Sequence, residues 1–262
     1  MTNCRRPSAH LRIWYVMSRP RLLDLFCGAG GAAMGYHRAG FEVVGVDIEP
    51  QPNYPFEFHQ CDAISTLNRL DLFAAVTDSG EPFDAIHASP PCQGYSRMRH
   101  LPWLKDREYP MLIEPVRELL LATGLPYVIE NVMDSPLIEP FMLCGLDFGL
   151  RMYRHRLFEA NFMVMVHPHQ RHTVTIGSGR MLGSRYSKGS AGVTGILPDP
   201  AGHTAGASTN AAKAVMGVEW MTRDEMTQAI PPAYTEFIGS QLLQYLSVAA
   251  LAAPPDPEEP SE

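Results

Sequence analysis

The chain of 262 residues is long enough for one large domain, or for one domain with a small appendage. Hydrophobic residues make up 45%, yet no run approaches the roughly 18 apolar residues of a membrane helix, so a membrane protein is excluded. The net charge of −7 disfavours general nucleic-acid binding, although eight basic residues against two acidic ones lie between positions 151 and 213. The five cysteines include no CxxC pair, which disfavours a disulfide framework and predicts a reducing, cytoplasmic compartment.

Predicted strands and helices alternate along the first half of the chain. The apolar run "RLLDLFC" (21–27) enters a glycine cluster, "AAMGYHRAG" (32–40) has helical character, and "FEVVGVDI" (41–48) is β-branched and ends in an acid. Two more buried strands and the helix between them are predicted at 83–89, 126–132 and 109–124. This order predicts an α/β fold, a Rossmann-like doubly wound, mostly parallel sheet with helices on both faces. Ligands are then expected at the carboxyl ends of the strands.

The second half of the chain is less regular. Periodicity fades after about residue 158, and eight of the 21 glycines fall in 177–206, which predicts an irregular insertion. Thr222, with Glu225 three residues later, is typical of a helix start, and the amphipathic stretch 233–253 predicts a long helix that docks on the sheet.

A glycine loop follows the first predicted strand. In "DLFCGAGG", Gly28, Gly30 and Gly31 allow the backbone to turn tightly and approach a ligand, and the following helix offers free N–H groups. Asp47 ends the second strand, where a carboxylate can accept both hydroxyls of a ribose, and Asp62 follows. These features indicate an adenosine-containing cofactor. The spacing is not GxGxxG, so a dinucleotide is disfavoured, and the alternative is that the glycines only tighten the turn.

A cysteine and a glutamate follow two later strands. Cys92 lies in "SPPCQGYS" (89–96), where two prolines stiffen the loop, and Glu130 and Asn131 end the next strand in "IENV". Both strand ends are expected at the same edge of the sheet. A thiol and a carboxylic acid beside an adenosine-type cofactor indicate covalent catalysis with a proton donor. The alternative is a cysteine that packs as a small apolar residue.

Four motifs in this order, "DLFCGAGG", "PPCQ", "ENV" and "RHRLFE", resemble those of the cytosine-C5 DNA methyltransferases, and "AIPPAYTEFIG" resembles their closing motif. The resemblance runs from about residue 21 to 245. It implies a class I methyltransferase fold, S-adenosyl-L-methionine as cofactor, and methyl transfer to cytosine C5 in duplex DNA. It further implies a covalent bond between Cys92 and cytosine C6, with the target base flipped out of the duplex. A monomer with no membrane partner is expected, in a bacterial or phage-infected cell.

The resemblance also implies roles for individual residues. It assigns to cofactor binding Asp24, Phe26, Gly28, Gly30, Gly31, Asp47, Ile48, Asp62 and Pro90. Among these, Phe26 and Asp62 would lie near the adenine and Asp47 on the ribose. It assigns to catalysis Cys92, Glu130, Asn131, Arg154 and Arg156. Here Cys92 is the nucleophile, Glu130 the acid at cytosine N3, and the arginines support the loop and the target nucleotide. Arg156 is expected to raise the thiolate fraction of the cysteine.

The predicted organisation has five parts: an arm (1–18), a catalytic domain (19–158), a small target-recognition insertion (159–213), a returning segment (214–253) and a disordered acidic tail (254–262). Residues 1–16 are interpreted as an upstream start or a loose arm. DNA contacts are predicted for Gln93, Ser96, Arg171, Arg180, Arg185 and Lys188. Two positions depart from the family pattern: Met152 replaces a usual glutamine, and Thr227-Gln228 replaces a usual Gly-Asn.

Three alternative functions stay open: an RNA cytosine-C5 methyltransferase of the transfer-RNA type, a catalytically silent DNA- or cofactor-binding homologue, and, least favoured, a nicotinamide-dependent oxidoreductase. The motif "HPHQRH" contains His167, His169 and His172. No cysteine or carboxylate neighbours them, so no metal site is predicted.

Overall fold

The computed structural model describes residues 19–96, 107–172 and 209–252. Its strands are β1 Arg21–Leu25, β2 Glu42–Asp47, β3 Glu57–Gln60, β4 Ala85–Ala88, β5 Tyr127–Asn131, β6 Phe141–Leu143 and β7 Arg156–Ala160. Its helices are α1 Gly31–Ala39, α2 Ala63–Leu67, α3 Leu70–Ala74, α4 Ile113–Thr123, α5 Thr209–Met216, α6 Arg223–Gln228 and α7 Pro232–Ala252, with a 3-10 helix at Gly145–Phe148. The predicted arm and acidic tail lie outside the described residues.

One seven-stranded sheet organises the fold, in the order β3-β2-β1-β4-β5-β7-β6. The first five strands pair in parallel, whereas β7 pairs antiparallel with both β5 and β6. The mostly parallel sheet predicted from the alternating pattern is therefore confirmed. The order reverses between β1 and β4, and a crevice at such a switch point is where ligands bind in open α/β sheets.

Both faces of the sheet are covered because strand residues alternate between two hydrophobic clusters. Leu23 and Leu25 pack on the side of α2, α3 and α4, whereas Leu22 and Val43 pack on the side of α1 and α7. Helices α1 and α7 approach closely: a Cβ atom added at Gly239 would lie 2.8 Å from the Cβ of Ala39. The long C-terminal helix thus docks on the sheet as predicted.

Several elements differ from the prediction. β3 ("EFHQ") is polar and partly exposed and β6 has only three residues, so neither has a strong apolar pattern. β7 begins at Arg156, inside "RHRLFE", and α5 begins at Thr209, earlier than the regular structure expected from about 214. The predicted helix start at Thr222 is confirmed, since Thr222 and Glu225 form a capping box. No helix in the described part of the chain is long and apolar enough to cross a membrane.

Candidate active site at the carboxyl edge of the sheet

The Cys92 loop follows β4 and is held to β5. Its turn closes where the backbone N–H groups of Tyr95 and Ser96 donate to the carbonyl of Cys92, at 3.0 and 2.9 Å. The Asn131 side chain donates to the carbonyl of Pro90 at 2.9 Å, and its own oxygen accepts from the N–H of Val132. Both polar groups of this buried asparagine contact backbone, which holds the Cys92 loop to the end of β5, and its predicted place among the catalytic residues stays a prediction.

Glu130, the neighbour of Asn131 at the end of β5, is 7% exposed. Its Oε1 lies 2.8 Å from Nε of Arg156, and it also accepts a hydrogen bond from the Ser89 hydroxyl. Burial raises the pKa of the Glu130 carboxyl, against the opposing effects of Arg156, Arg154 and Ser89. The carboxyl therefore holds its proton to a higher pH than an exposed glutamate does.

Cys92 is half-buried and lies within the electrostatic reach of Glu130 and both arginines. Burial is the largest effect and raises the pKa of the thiol, and the Glu130 carboxylate raises it further. Arg156 and Arg154 lower it, as expected, but are outweighed. The predicted effect of Arg156 therefore has the expected direction, but burial and Glu130 outweigh it, so the pKa of the thiol is raised in the resting protein.

Arg154 connects this site to the C-terminal segment. Its guanidinium donates to the carbonyl of Thr227 at 2.8 Å, and its own carbonyl accepts from the Tyr234 hydroxyl at 2.7 Å. Burial lowers the pKa of Arg154 to about 9, which leaves the group charged at neutral pH. Thr227 is one of the two positions that depart from the family pattern, and it contributes through its backbone oxygen, which any residue supplies.

A buried polar chain behind Glu130 was missed from the sequence. The Tyr36 hydroxyl lies 3.1 Å from Nδ1 of His87, and Nε2 of His87 lies 2.9 Å from the Ser89 hydroxyl oxygen. Burial lowers the pKa of His87 to about 3, so the ring is neutral and carries one proton. With that proton on Nε2, Tyr36 donates to His87, His87 to Ser89 and Ser89 to Glu130. The only available signal was a single histidine within the otherwise apolar strand β4.

Two carboxylates lie at the opposite, glycine-loop side of the switch point. Asp47 accepts from the N–H of Gly28 and from that of Glu49, each at 3.0 Å. Asp24 is fully buried, and burial raises its pKa well above the usual range, with a further rise from Asp47. Its Oδ1 atom contacts no hydrogen-bond partner within the described residues. An unpartnered buried oxygen beside a glycine loop fits a ligand with a donor group.

The three loop glycines serve different purposes. A Cβ atom at Gly28 would meet nothing within 4 Å, so this glycine borders open space. At Gly30 it would lie 2.7 Å from Pro55, and at Gly31 it would lie 2.5 Å from the carbonyl oxygen of Ile230. The alternative that glycines serve the turn and its packing therefore applies to Gly30 and Gly31, whereas Gly28 leaves room for a ligand.

The remaining cofactor candidates Phe26, Ile48 and Asp62 follow the parallel strands β1, β2 and β3. Phe26 has a left-handed backbone, with φ of 56°, which is uncommon for a residue other than glycine. Ile48 is 63% exposed directly after Asp47, and Asp62 caps α2 by accepting the N–H of Ser65 at 2.8 Å. An exposed apolar side chain at Ile48 could contact an adenine ring, and the neighbouring Asp47 carboxylate could accept from a ribose.

Residues 20–134 match the profile of the family described as C-5 cytosine-specific DNA methylase. The Type II methyltransferase M.FnuDI of Fusobacterium nucleatum is 25% identical over 162 residues, which cover 54% of this chain and 46% of that protein. The Type II methyltransferase M.XorII of Xanthomonas oryzae pv. oryzae is 30% identical over 123 residues, 44% of this chain and 29% of that protein. Over this part of its length, the chain is similar to the cytosine-C5 DNA methyltransferases.

The chain spans less than half of the length of these two relatives. A prophage-encoded Escherichia coli protein assigned as a DNA modification methyltransferase has a solved structure that is 17% identical, with a TM-score of 0.56. The match covers 87% of this chain and 99% of that one, and at this identity it concerns the fold alone. Together with the strand order, it identifies the class I S-adenosylmethionine-dependent methyltransferase fold that the sequence predicted.

The residues predicted to contact DNA are only partly described. Gln93 is exposed and Ser96 half-buried in the Cys92 loop, and Arg171 is exposed beyond β7. The other three, Arg180, Arg185 and Lys188, lie outside the described residues. Their role stays a prediction.

The histidines of "HPHQRH" have neighbours in space that the sequence does not show. No cysteine or carboxylate neighbours this motif in sequence, but the fold brings Cys144 and His155 against His169 and His172. The four potential ligand atoms lie within 4.8 Å of one another. His167, the third histidine of the motif, packs instead against the ring of Phe237.

Proposed function

We propose that this protein transfers a methyl group from S-adenosylmethionine to C5 of cytosine in DNA. The observation that carries the proposal is the convergence of Cys92 with a buried Glu130 and two arginines at one edge of the sheet, beside a glycine loop that borders open space. The match of residues 20–134 to the C-5 cytosine-specific DNA methylase family supports the same reaction. A soluble monomer in the cytoplasm and the five-part domain organisation belong to this proposal.

The residues that would hold the cofactor are those around Gly28. The unpartnered Oδ1 of Asp24 would accept from a donor of the methionine part, and the free lone pairs of Asp47 would accept from the ribose hydroxyls. Ile48 and Phe26 would contact the adenine, and Asp62 its amino group. S-adenosylmethionine, when bound, supplies an electrophilic methyl group.

Cys92 and Glu130 act on opposite sides of the pyrimidine ring. Cytosine C5 is a poor nucleophile because its electrons belong to an aromatic ring. After its proton passes to solvent water, the Cys92 sulfur adds to C6, and Glu130 delivers its proton to N3 as the ring electrons move there. C5 is then an enamine-like carbon able to accept a methyl group. Loss of the C5 proton to solvent water, elimination of the Cys92 thiolate and return of the N3 proton to Glu130 restore the aromatic ring.

The raised pKa values of Cys92 and Glu130 fit different stages of this cycle. Glu130 must carry a proton when the sulfur adds, and burial favours its protonated form. Cys92 must lose its proton, which burial opposes in the resting site. Once Glu130 is neutral, it no longer raises the pKa of the thiol, and Arg156 is released from its ion pair to act on the sulfur. The two groups therefore assist each other when the base enters.

The target base reaches Cys92 only after it leaves the duplex stack, at a cost of a few kcal/mol. Arg154 and Arg156 are charged groups at the edge of this site, and Arg156 is partly exposed. A flipped nucleotide would bring its phosphate and O2 atom towards them. An RNA substrate uses the same chemistry, so duplex DNA and transfer RNA are compared directly in the test below.

The test is methyl transfer from radiolabelled S-adenosylmethionine to duplex DNA and, in parallel, to transfer RNA. We expect label in DNA, with loss of at least about a hundredfold in Cys92→Ser, because a serine hydroxyl is a far weaker nucleophile than a thiolate. Cofactor binding, measured by calorimetry, should stay within about threefold, or about 0.7 kcal/mol. Cys61→Ser is the matched control, since Cys61 is a free cysteine exposed elsewhere.

Near-normal transfer by Cys92→Ser would end the covalent proposal. Label in transfer RNA but not in DNA would instead assign the RNA alternative. Cofactor binding without any transfer, by a wild-type protein that melts cooperatively, would favour the silent homologue.

A further inference from the structure

We propose that Cys144, His155, His169 and His172 bind one zinc ion in a closed, structural site next to the active site. The ligands come from three separate places in the chain. Cys144 directly precedes the 3-10 helix, His155 lies between the two site arginines, and the other two histidines follow β7. This proposal does not depend on the methyltransferase reaction.

Three of the six distances between ligand atoms are close to the edges of a tetrahedral site, and all six are within 4.8 Å. The Nε2 atom of His155 lies 3.1 Å from that of His169 and 3.3 Å from that of His172. The Cys144 sulfur lies 3.5 Å from Nε2 of His172. Zinc bonds of about 2.0–2.1 Å to nitrogen and 2.3 Å to sulfur give tetrahedron edges of about 3.3 Å between nitrogens and about 3.6 Å between nitrogen and sulfur.

Hydrogen bonding alone explains the three histidines poorly. A neutral imidazole carries one N–H, so Nε2 of His155 donates at most to one of the two nitrogens that it faces. If Nε2 of His155 is instead unprotonated, it accepts from both other histidines. Nε2 of His172 then carries a hydrogen and cannot accept from the Cys144 thiol that it also faces. A cation at the centre is contacted by all three lone pairs and by the thiolate at once.

The arrangement is held by contacts that do not involve the proposed metal. The ring of Tyr153 stacks on that of His172, with centroids 3.7 Å apart and planes 3° apart. The side chain of Gln170 donates to the carbonyl of Leu146 at 3.1 Å, which fastens the histidine segment to the 3-10 helix. The ligands are thus positioned before a metal arrives, and a preformed site loses less freedom when it binds.

The chemistry of the ligand set selects zinc in a structural role. Three imidazoles and one thiolate suit zinc, and four protein ligands leave no open position for a reacting water. Cys144 is buried, whereas His169 is exposed and leaves a path for the ion. A zinc ion here would fix His155 to His169 and His172. It would thereby also fix the short stretch that carries Arg154 and Arg156.

The experiment measures metal directly in the full-length protein, purified without metal-affinity steps from zinc-supplemented cells. We expect about one zinc per chain by mass spectrometry of metals. After removal of zinc with a chelator, cobalt(II) should give the intense visible absorption of a tetrahedral ion, together with a thiolate-to-cobalt charge-transfer band. Protein without bound zinc, or an octahedral cobalt spectrum, would overturn the proposal.

Variants then test the ligands one by one. Cys144→Ser should remove the charge-transfer band, and His169→Ala should weaken zinc by more than the about 10–100-fold typical of a residue that only supports a ligand. His167→Ala and Cys61→Ser are matched controls and should keep one zinc per chain. Retention of full zinc affinity by both ligand variants would refute the site. If those variants do not fold, the cobalt spectrum of the wild-type protein still decides the question.

Discussion

The replacement of Glu130 by glutamine tests the proposed acid with little change in shape. The carboxyl is enclosed, with Arg156 at 2.8 Å and the Ser89 hydroxyl bound to it. An amide fills the same volume but cannot deliver a proton to cytosine N3. General acid catalysis contributes about 10²–10⁴-fold in rate, equal to about 2.7–5.4 kcal/mol of barrier. The amide N–H can still donate a neutral hydrogen bond to N3, so we expect a loss in the lower half of that range, about 10²–10³-fold.

The assay is single-turnover methyl transfer with the protein in excess over duplex DNA, so that product release does not limit the rate. We expect the loss in the rate constant of the chemical step, whereas S-adenosylmethionine should bind about as in the wild type, because Glu130 lies on the β5 side of the switch point. Glu118→Gln, the same change at an exposed position of α4, is the control. A rate constant for Glu130→Gln within about threefold of wild type, or under 1 kcal/mol, would refute the role as acid.

Two further predictions concern stability. Burial raises the pKa of Glu130, so its contribution to the free energy of unfolding is fully present below its ordinary range and is lost as pH rises through the folded pKa. Chemical denaturation at a series of pH values should therefore show wild type losing stability relative to Glu130→Gln as pH rises, and the opposite slope would contradict the raised pKa. Second, Arg117 and Glu159 form a buried bidentate pair, with two N–O distances of 2.8 Å. Arg117→Met should lower the free energy of unfolding by about 3–5 kcal/mol and Tm by about 6–20 °C, because it leaves Glu159 buried without its partner. The double variant Arg117→Met with Glu159→Leu should recover much of this stability. Equal melting temperatures of Arg117→Met and wild type would contradict the prediction.

The sequence predicted the parts of the site that depend on strand ends. Cys92 and Glu130 each come at the end of an apolar run, and parallel strands bring their carboxyl ends to one edge of the sheet. The two apolar runs in the sequence were therefore enough to predict that these residues lie at the same edge. The glycine loop and Asp47 were predicted for the same reason, since they lie at the carboxyl ends of β1 and β2. The roles of individual glycines did not, because the need for glycine at position 31 comes from Ile230, almost 200 residues later.

Features that depend on distant side chains were missed or misjudged. Tyr36 and His87 are 51 positions apart and meet only because α1 packs over β4. Cys144 was considered only as a scattered cysteine, although the chain reversal at β6 and β7 brings it to the histidines. The thiol of Cys92 was expected to be activated by an arginine, but the balance between burial, Glu130 and Arg156 depends on three-dimensional distances.

The triplet Arg154-His155-Arg156 connects the candidate active site with the proposed zinc site. Neighbouring side chains in an extended segment point to opposite sides, so one short stretch can contact both. Arg156 contacts Glu130, Arg154 reaches the carbonyl of Thr227 in the C-terminal segment, and His155 lies in the proposed zinc site. Three consecutive side chains therefore fix one short stretch of backbone from three directions. A displacement of His155 by even 1 Å would be transmitted directly to the Arg156–Glu130 pair, because the two residues share a peptide bond and Arg156 also donates to the carbonyl of His155 at 2.9 Å. If zinc binds as proposed, its removal should therefore slow the chemical step as well as loosen the segment after β7, even though none of its ligands touches the base.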